Sequence, residues 1–391
     1  MPACTASRRR AAQPASPEKW TDSFLALSMA AQPPIISATV EQLAGFDALI
    51  DVRSPAEFAE DHIPGAASFP VLDNEERARV GTMYQQDSPF AARKLGAALV
   101  ARNIAQHLER DFHRHPKHWK PLVYCWRGGQ RSGSMATVLA QIGWTVSQLE
   151  GGYKAYRRKV IADLAVLPAR YEFIVLHGPT GSGKTALLEA LCTSGGQVLN
   201  LEALAQHRGS VLGASMLGDS APDSQPGQKA FETQIREALN ACDPARPVYV
   251  ESESRRIGKL SIPGVLFDAL IASRCLRIVA PLEARVAHLL ERYGDVYRHP
   301  QTLRSRLEFF VAQHGKNAVE HWQQLVDAGR FGELAEAIVR AHYDPAYRRG
   351  GDSLYRHAHE AQVLELGSLD SNAIIGAAHA ILHNSGNRHA D

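Results

Sequence analysis

A chain of 391 residues, 45% hydrophobic and 21% charged, is longer than one ordinary domain and carries enough apolar surface for two buried cores. A formal net charge of +2 excludes a strongly acidic or basic polypeptide, while 43 Lys and Arg and 17 His leave room for local basic patches that bind RNA. Cys4, Cys125, Cys192, Cys242 and Cys275 form no CxxC pair, which argues against a zinc site or disulfide framework, and no run of about 18 apolar residues is there to span a membrane; a soluble, cytoplasmic protein is expected.

Residues 1–34 are rich in Ala, Ser, Pro and Arg without periodicity and are expected to form a disordered leader, with Arg8, Arg9 and Arg10 as its charge and Met29 as an alternative start. From Ile35 short apolar strands alternate with helices. A strand over 48–52 runs into a helix over 55–59; a helix follows over 95–110. A buried strand over 122–124 then leads to Cys125, followed by a helix over 132–142 and a strand over 146–149. A connection over 163–169 precedes a second series. It comprises a strand over 173–176, a glycine loop, a helix over 185–192, and strands over 197–199, 248–251 and 276–279. Beyond Pro281 the pattern is mainly helical, including 303–314 and 331–342. Alternation of strands and helices predicts α/β domains built on parallel sheets.

Two loops carry chemistry. Gly178-Pro179-Thr180-Gly181-Ser182-Gly183-Lys184-Thr185 fits GxxxxGK[ST] between an apolar strand and a helix, the context in which a P-loop cradles phosphate. Its glycines let backbone amides converge on phosphate oxygens, Lys184 adds a point charge, and Thr185 is a candidate magnesium ligand. The motif leaves the ligand open between ATP, GTP and another diphosphate ester. Glu251 ends a following strand and Glu253 lies just beyond it, where such folds often keep an acidic residue near magnesium; no Asp ends this strand, and the alternative for either glutamate is a solvated strand end.

The second loop, Cys125-Trp126-Arg127-Gly128-Gly129-Gln130-Arg131-Ser132, passes from an apolar strand to a helix start. Backbone amides, the helix dipole and the cations of Arg127 and Arg131 are expected there to favour the thiolate and so make Cys125 a nucleophile. The other cysteines are expected to be ordinary small apolar residues. Basic clusters at Arg157, Arg158 and Lys159, at Arg255, Arg256 and Lys259, and at Arg348 and Arg349 are candidate RNA contacts or solvated faces. His207 and Arg208 are candidates for positioning substrate.

Asp51-Val52-Arg53-Ser54-Pro55-Ala56-Glu57-Phe58, Asp61-His62-Ile63-Pro64-Gly65-Ala66, the cysteine loop and Leu149-Glu150-Gly151-Gly152-Tyr153 together resemble a rhodanese domain over about residues 35–160. Cys125 and Arg131 enclose five residues, one more than in single-domain rhodaneses. That spacing occurs in rhodanese-fold phosphatases and suits a phosphate-bearing donor. Joined to a P-loop domain, and with Glu76-Arg77-Ala78-Arg79-Val80-Gly81-Thr82, His207-Arg208-Gly209-Ser210, Gln225-Pro226-Gly227-Gln228-Lys229-Ala230-Phe231-Glu232 and Glu251-Ser252-Glu253-Ser254-Arg255, the chain resembles the bacterial tRNA 2-selenouridine synthase family.

The resemblance covers about residues 35–350 and implies a rhodanese-like domain over 35–162 and a P-loop NTPase-like parallel α/β domain with helical extension over 163–350; it leaves the residues beyond 350 unaccounted for, and a C-terminal helical tail over 351–391 is expected there. It further implies a transferase acting on tRNA. Sulfur at C2 of a wobble 2-thiouridine would be replaced by selenium from selenophosphate, through an S-geranyl intermediate made from geranyl diphosphate, with no tightly bound cofactor beyond a candidate Mg. A selenophosphate-producing enzyme is a candidate partner. In that frame Trp126, His207, Arg208, Glu251, Glu253 and Arg255 are candidate substrate contacts, with Trp126 stacking on a base or on the geranyl chain. The competing expectations are a rhodanese-type sulfurtransferase or phosphatase coupled to ATP hydrolysis, and a nucleotide-dependent redox sensor that converts no substrate.

Overall fold

The computed structural model describes residues 34–207, 225–348 and 354–386. The expected leader, together with Arg208 and Arg349, lies outside them. Two compact units are present, one formed by Met1–Pro55 with Ile63–Lys154 and the other by Ala56–His62 with Ala155–Asp391.

In the first unit, β1 (Ile36–Ala38), β2 (Ala48–Asp51), β3 (Ala66–Ser68), β4 (Pro121–Tyr124) and β5 (Ser147–Leu149) form an all-parallel sheet in the order β1-β5-β4-β2-β3. All four residues of β4 are buried, as a central parallel strand covered on both faces requires. Helices α1 (Pro55–Glu60), α2 (Asn74–Gln86) and α3 (Pro89–Arg110) precede β4 in the chain, and α4 (Gln130–Ile142) follows it. The capping box of Asp73 and Glu76 starts α2, and the Ser88 hydroxyl with Pro89 starts α3. Val123, Met135, Leu139, Phe112 and Trp144 lie in one apolar cluster that also takes in Cys125.

In the second unit, β6 (Phe173–His177), β7 (Gln197–Leu199), β8 (Val248–Glu251), β11 (Arg274–Val279) and β12 (Gln362–Glu365) form a parallel sheet in the order β12-β11-β6-β8-β7, with β9 (Arg256–Ile257) and β10 (Leu260–Ser261) as a separate antiparallel pair. After α5 (Gly152–Val166), the main helices are α6 (Lys184–Thr193), α7 (Gln228–Asn240), α8 (Leu282–Arg292), α9 (Pro300–Leu307), α10 (Lys316–Asp327), α11 (Phe331–Ile338) and α12 (Ser371–Gly386). Val296, Leu303, Phe310, Trp322, Leu334 and Ile338 give the helical part its own core.

Three local expectations are corrected. Residues 163–169, expected as a connection, continue α5 and then form a 3-10 turn over Leu167–Arg170, since Val160 and Leu164 bury one face of the helix. The helix expected over 303–314 breaks into α9, a 3-10 turn Glu308–Phe310 and Val311–His314, and the one expected to reach His342 passes into a π-helix over Val339–Tyr343. The tail expected to be helical supplies β12, paired in register with β11 from Leu276↔Gln362 to Val279↔Glu365, before it forms α12. Gln-Val-Leu-Glu is too short and too exposed to announce a strand; its partner supplies the order.

Each sheet has a middle strand, β4 in one and β6 in the other, and each chemistry-bearing loop leaves the carboxyl end of that strand for a helix N-terminus. This is where open parallel sheets present loop backbone and helix dipole to a ligand.

Candidate functional site

Cys125 follows β4 directly and is 4% exposed. Its Sγ accepts hydrogen bonds from the Gly129 amide at 3.3 Å and the Ser132 hydroxyl at 3.2 Å. Burial opposes ionisation of the thiol, but the Ser132 hydroxyl and the amides of Ser132, Arg127 and Gly129 outweigh it and hold the thiol below the ordinary cysteine value. Arg127 thus acts on the sulfur through its backbone N–H; its side chain is exposed and that of Arg131 half-buried. Trp126 is half-buried, with its ring 5.4 Å from that of Tyr153.

The loop is held by Gln148 and Lys154, which motif reading passed over, and by Gly152 and Tyr153, which the rhodanese resemblance includes. Gln148 on β5 donates to the Gly128 carbonyl and to Ser132 Oγ, both at 2.8 Å, which leaves the Ser132 proton directed to sulfur or to the Gly129 carbonyl. The amides of Tyr153 and Lys154 donate to the carbonyls of Cys125 and Trp126 at 2.8 and 3.0 Å. This approach requires glycine at 152: φ is +56°, and a Cβ would stand 2.3 Å from the Cys125 carbonyl oxygen. Tyr153 also covers Arg53, whose guanidinium carbon lies 4.0 Å from the ring centroid and which pairs at 2.6 Å with fully buried Asp51. With Cys125 so placed, the loop offers a nucleophilic sulfur beside convergent amides, an arrangement fit for a chalcogen or phosphate oxyanion.

The glycine loop runs from β6 to α6 along the floor of a cleft of about 470 Å³. Gly178, Thr180, Gly181, Ser182, Gly183, Lys184 and Thr185 line it together with Glu202, Glu251, Glu253, His288, Arg292 and a set of tyrosines, Tyr293, Tyr343, Tyr347 and Tyr355. Lys184 Nζ donates to the Gly178 carbonyl at 2.8 Å, folded back over its own loop. Gly181 and Gly183 take φ of +80° and +83°, the left-handed conformations that turn successive amides to one side. The sequence motif found the floor, whereas the tyrosines and Arg292 carry no local signal.

Glu251 is 5% exposed, and its Oε2 accepts from the Thr185 hydroxyl at 3.1 Å. Burial raises its pKa above the usual carboxylate value, partly offset by Lys184 and Thr185. Glu253 is pushed well above that value by burial and by the charges of Glu202 and Glu251, with Lys184 opposing. Tyr355 holds the Glu253 backbone in place, accepting from its N–H at 2.7 Å and donating to its carbonyl at 2.8 Å. Thr185 and Glu251 are oxygen donors suited to a hard cation such as magnesium. Among the described residues no group of three or more His, Cys, Asp and Glu is arranged to hold a metal, so phosphate oxygens and water would complete any such shell.

The remaining predicted residues are placed differently. His207 ends the turn after Leu201–Ala205, its amide donating to the Glu202 carbonyl at 3.0 Å, and burial lowers its pKa. Arg255 is exposed, 5.9 Å from the ring centroid of Phe267, and is not among the residues lining the cleft. Within the basic clusters Arg157 pairs with Glu232 and Lys159 with Asp163, while Arg158, Arg256, Lys259 and Arg348 are exposed.

Residues 38–159 match the model of the rhodanese-like domain, and residues 171–305 match that of the tRNA 2-selenouridine synthase AAA domain. Curated relatives include the tRNA 2-selenouridine synthases of Nitrosomonas europaea, 40% identical over 63% of this chain and 63% of the relative. That of Bdellovibrio bacteriovorus is 39% identical over 63% and 64%, and that of Hydrogenovibrio crunogenus 37% identical over 63% and 68%. The chain thus spans less than two thirds of the length of the first two of these relatives.

Proposed function

The chain belongs to the tRNA 2-selenouridine synthase family, and on that premise we propose that it replaces sulfur by selenium at C2 of the wobble 2-thiouridine of tRNA, using selenophosphate through an S-geranyl intermediate. The observation that carries this reading is one chain joining a Cys125 thiol held toward its anion by four donors with a P-loop cleft walled by tyrosines. In the first step the thiocarbonyl sulfur attacks C1 of geranyl diphosphate, a C–S bond forms and pyrophosphate leaves. Lys184 and the amides of the loop bind the diphosphate and stabilise the charge that develops on it. Thr185 and Glu251 would hold a magnesium ion, which would supply further neutralisation of the leaving diphosphate.

In the second step the selenium of selenophosphate attacks C2 and forms a C–Se bond, the C–S bond breaks to release geranyl thiol, and water then cleaves the Se–P bond so that phosphate leaves. Cys125, with Arg127 and Arg131 at the mouth of its loop, engages the phosphate-bearing selenium donor. Trp126, His207, Arg208, Glu251, Glu253 and Arg255 are the side chains assigned to substrate. The test incubates the purified chain with 2-thiouridine tRNA, geranyl diphosphate and selenophosphate, each added separately, and follows nucleoside masses. Lys184→Ala is expected to slow geranylation by about 100-fold or more while sparing selenation of a pre-geranylated tRNA, and Cys125→Ala to do the reverse. No mass change with the wild-type chain under any combination would sink the proposal.

A further inference from the structure

Arg285 on α8 is 6% exposed and does not line the cleft, yet its donors end on Thr180, which does, and on Asp344, whose neighbour Tyr343 does. Nε and Nη2 donate to the Thr180 carbonyl inside the P-loop at 3.0 and 2.7 Å. Nη1 and Nη2 also donate to the two carboxylate oxygens of Asp344 at 3.2 and 2.6 Å. A buried guanidinium is tolerated only with its donors matched, and here the match is divided between two segments far apart in sequence.

Both attachments bear on the cleft. Thr180 is followed by Gly181, where φ is +80° and an added Cβ would stand 3.0 Å from Leu289 and 3.2 Å from the carbonyl oxygen of Arg285, so α8 already presses on the loop backbone. Asp344 follows the π-helix Val339–Tyr343, and both Tyr343, immediately before it, and Tyr347, three residues after it, line the cleft. A π-helical turn marks a backbone stretch that local propensity does not fix by itself. Asp344 lies beyond residues 171–305, while Thr180 and Arg285 lie within them.

We propose that Arg285 is a positioning residue that couples the P-loop to the tyrosine wall, so that a phosphate ligand fixing the loop at Thr180 also fixes Tyr343 and Tyr347 through Asp344. The inference rests on reading the cleft as a phosphate site. A lysine ammonium keeps the charge but lacks the planar fork that sets separate nitrogens on the Thr180 carbonyl and on both Asp344 carboxylate oxygens, so Arg285→Lys breaks the coupling. Asp344→Asn keeps the volume and removes the ion pair.

The experiment measures amide hydrogen exchange in the full chain with and without inorganic pyrophosphate and magnesium, alongside pyrophosphate affinity by calorimetry. In the wild type, pyrophosphate slows exchange both in the P-loop and over residues 339–347. In Arg285→Lys and Asp344→Asn the P-loop protection persists, the protection over 339–347 is lost, and affinity falls by about tenfold, the scale of one charge-assisted hydrogen bond. Equal protection over 339–347 in wild type and both variants overturns the coupling and leaves Arg285 a purely structural residue. So does wild-type binding without any protection there. Absence of pyrophosphate binding to the wild type overturns the phosphate reading itself, and the coupling with it. Should Arg285→Lys fail to fold, Asp344→Asn alone carries the comparison.

Discussion

Three kinds of donor converge on the Cys125 sulfur: a serine hydroxyl, loop amides and the start of a helix. The Ser132 hydroxyl is the largest contribution opposing the burial that would otherwise keep the thiol protonated. The sign is set by that balance: the thiolate is present above the lowered pKa and lost as pH falls through it. Ser132→Ala is expected to move the midpoint of Cys125 alkylation by iodoacetamide to higher pH. Cys275, raised by burial to about 11, serves as the unreactive control in the same digest. An unchanged midpoint for Cys125 would mean that the amides alone hold the thiolate. The lowered thiol pKa was legible from Cys125 between an apolar strand and a glycine-containing turn. Its electrostatics were expected from backbone amides, the helix dipole and the cations of Arg127 and Arg131; the amides contribute, but the largest donor is the Ser132 hydroxyl, which that reading did not include. Charge is visible in a sequence, whereas hydrogen-bond direction is a property of coordinates. Gln148 shows the same limit, since nothing on β5 reveals that one side-chain amide braces both Gly128 and Ser132.

At the scale of elements, the glycine loop depends on what packs behind α6. Leu187, Leu188 and Leu191 of that helix share a cluster with Leu369, Ile374, Ala377 and Ala378 from the last segment, and Gly183 approaches Leu369 closely enough that a Cβ would sit 3.0 Å from its side chain. Ile374 is 4% exposed and its neighbour Ile375 44%. Ile374→Ala is therefore expected to cost about 2–4 kcal/mol in denaturant unfolding of the full chain, and Ile375→Ala less than about 0.5 kcal/mol. Equal costs would place this helix off the core. The helix of this pair was foreseen and the preceding strand was not. Amphipathic spacing is a local signal that survives in a single segment, whereas Gln362–Glu365 becomes a strand only because β11 offers it an edge.

For the molecule as a whole, charge must be counted after folding. Arg157 and Lys159 look basic in sequence but are paired with Glu232 and Asp163, whereas Arg255 and Arg256 are exposed. Each exposed arginine that contacts a tRNA phosphate should steepen the dependence of binding on salt by about one in the log–log slope. Arg255→Ala with Arg256→Ala is accordingly expected to weaken tRNA binding about tenfold at moderate salt and flatten that slope, and Arg157→Ala to lower stability with little change in slope. Filter binding across a salt series decides it; identical slopes for all three chains would remove Arg255 and Arg256 from the RNA surface. Among the described residues no helix is long and apolar enough to cross a membrane.

By itself the sequence determined the two parallel α/β units, because a buried parallel strand must be almost continuously apolar and its helices must carry periodic apolar faces. It also determined both reactive loops, because a P-loop and a thiolate loop need particular residues at particular spacings beside a strand and a helix. Tertiary structure alone decided that each loop leaves the middle strand of its sheet, that Ser132 and Gln148 complete the thiol's surroundings, and that tyrosines from beyond residue 290 line the P-loop cleft. Those outcomes depend on which segments become neighbours, and neighbours distant in sequence leave no periodic or motif signal in either segment.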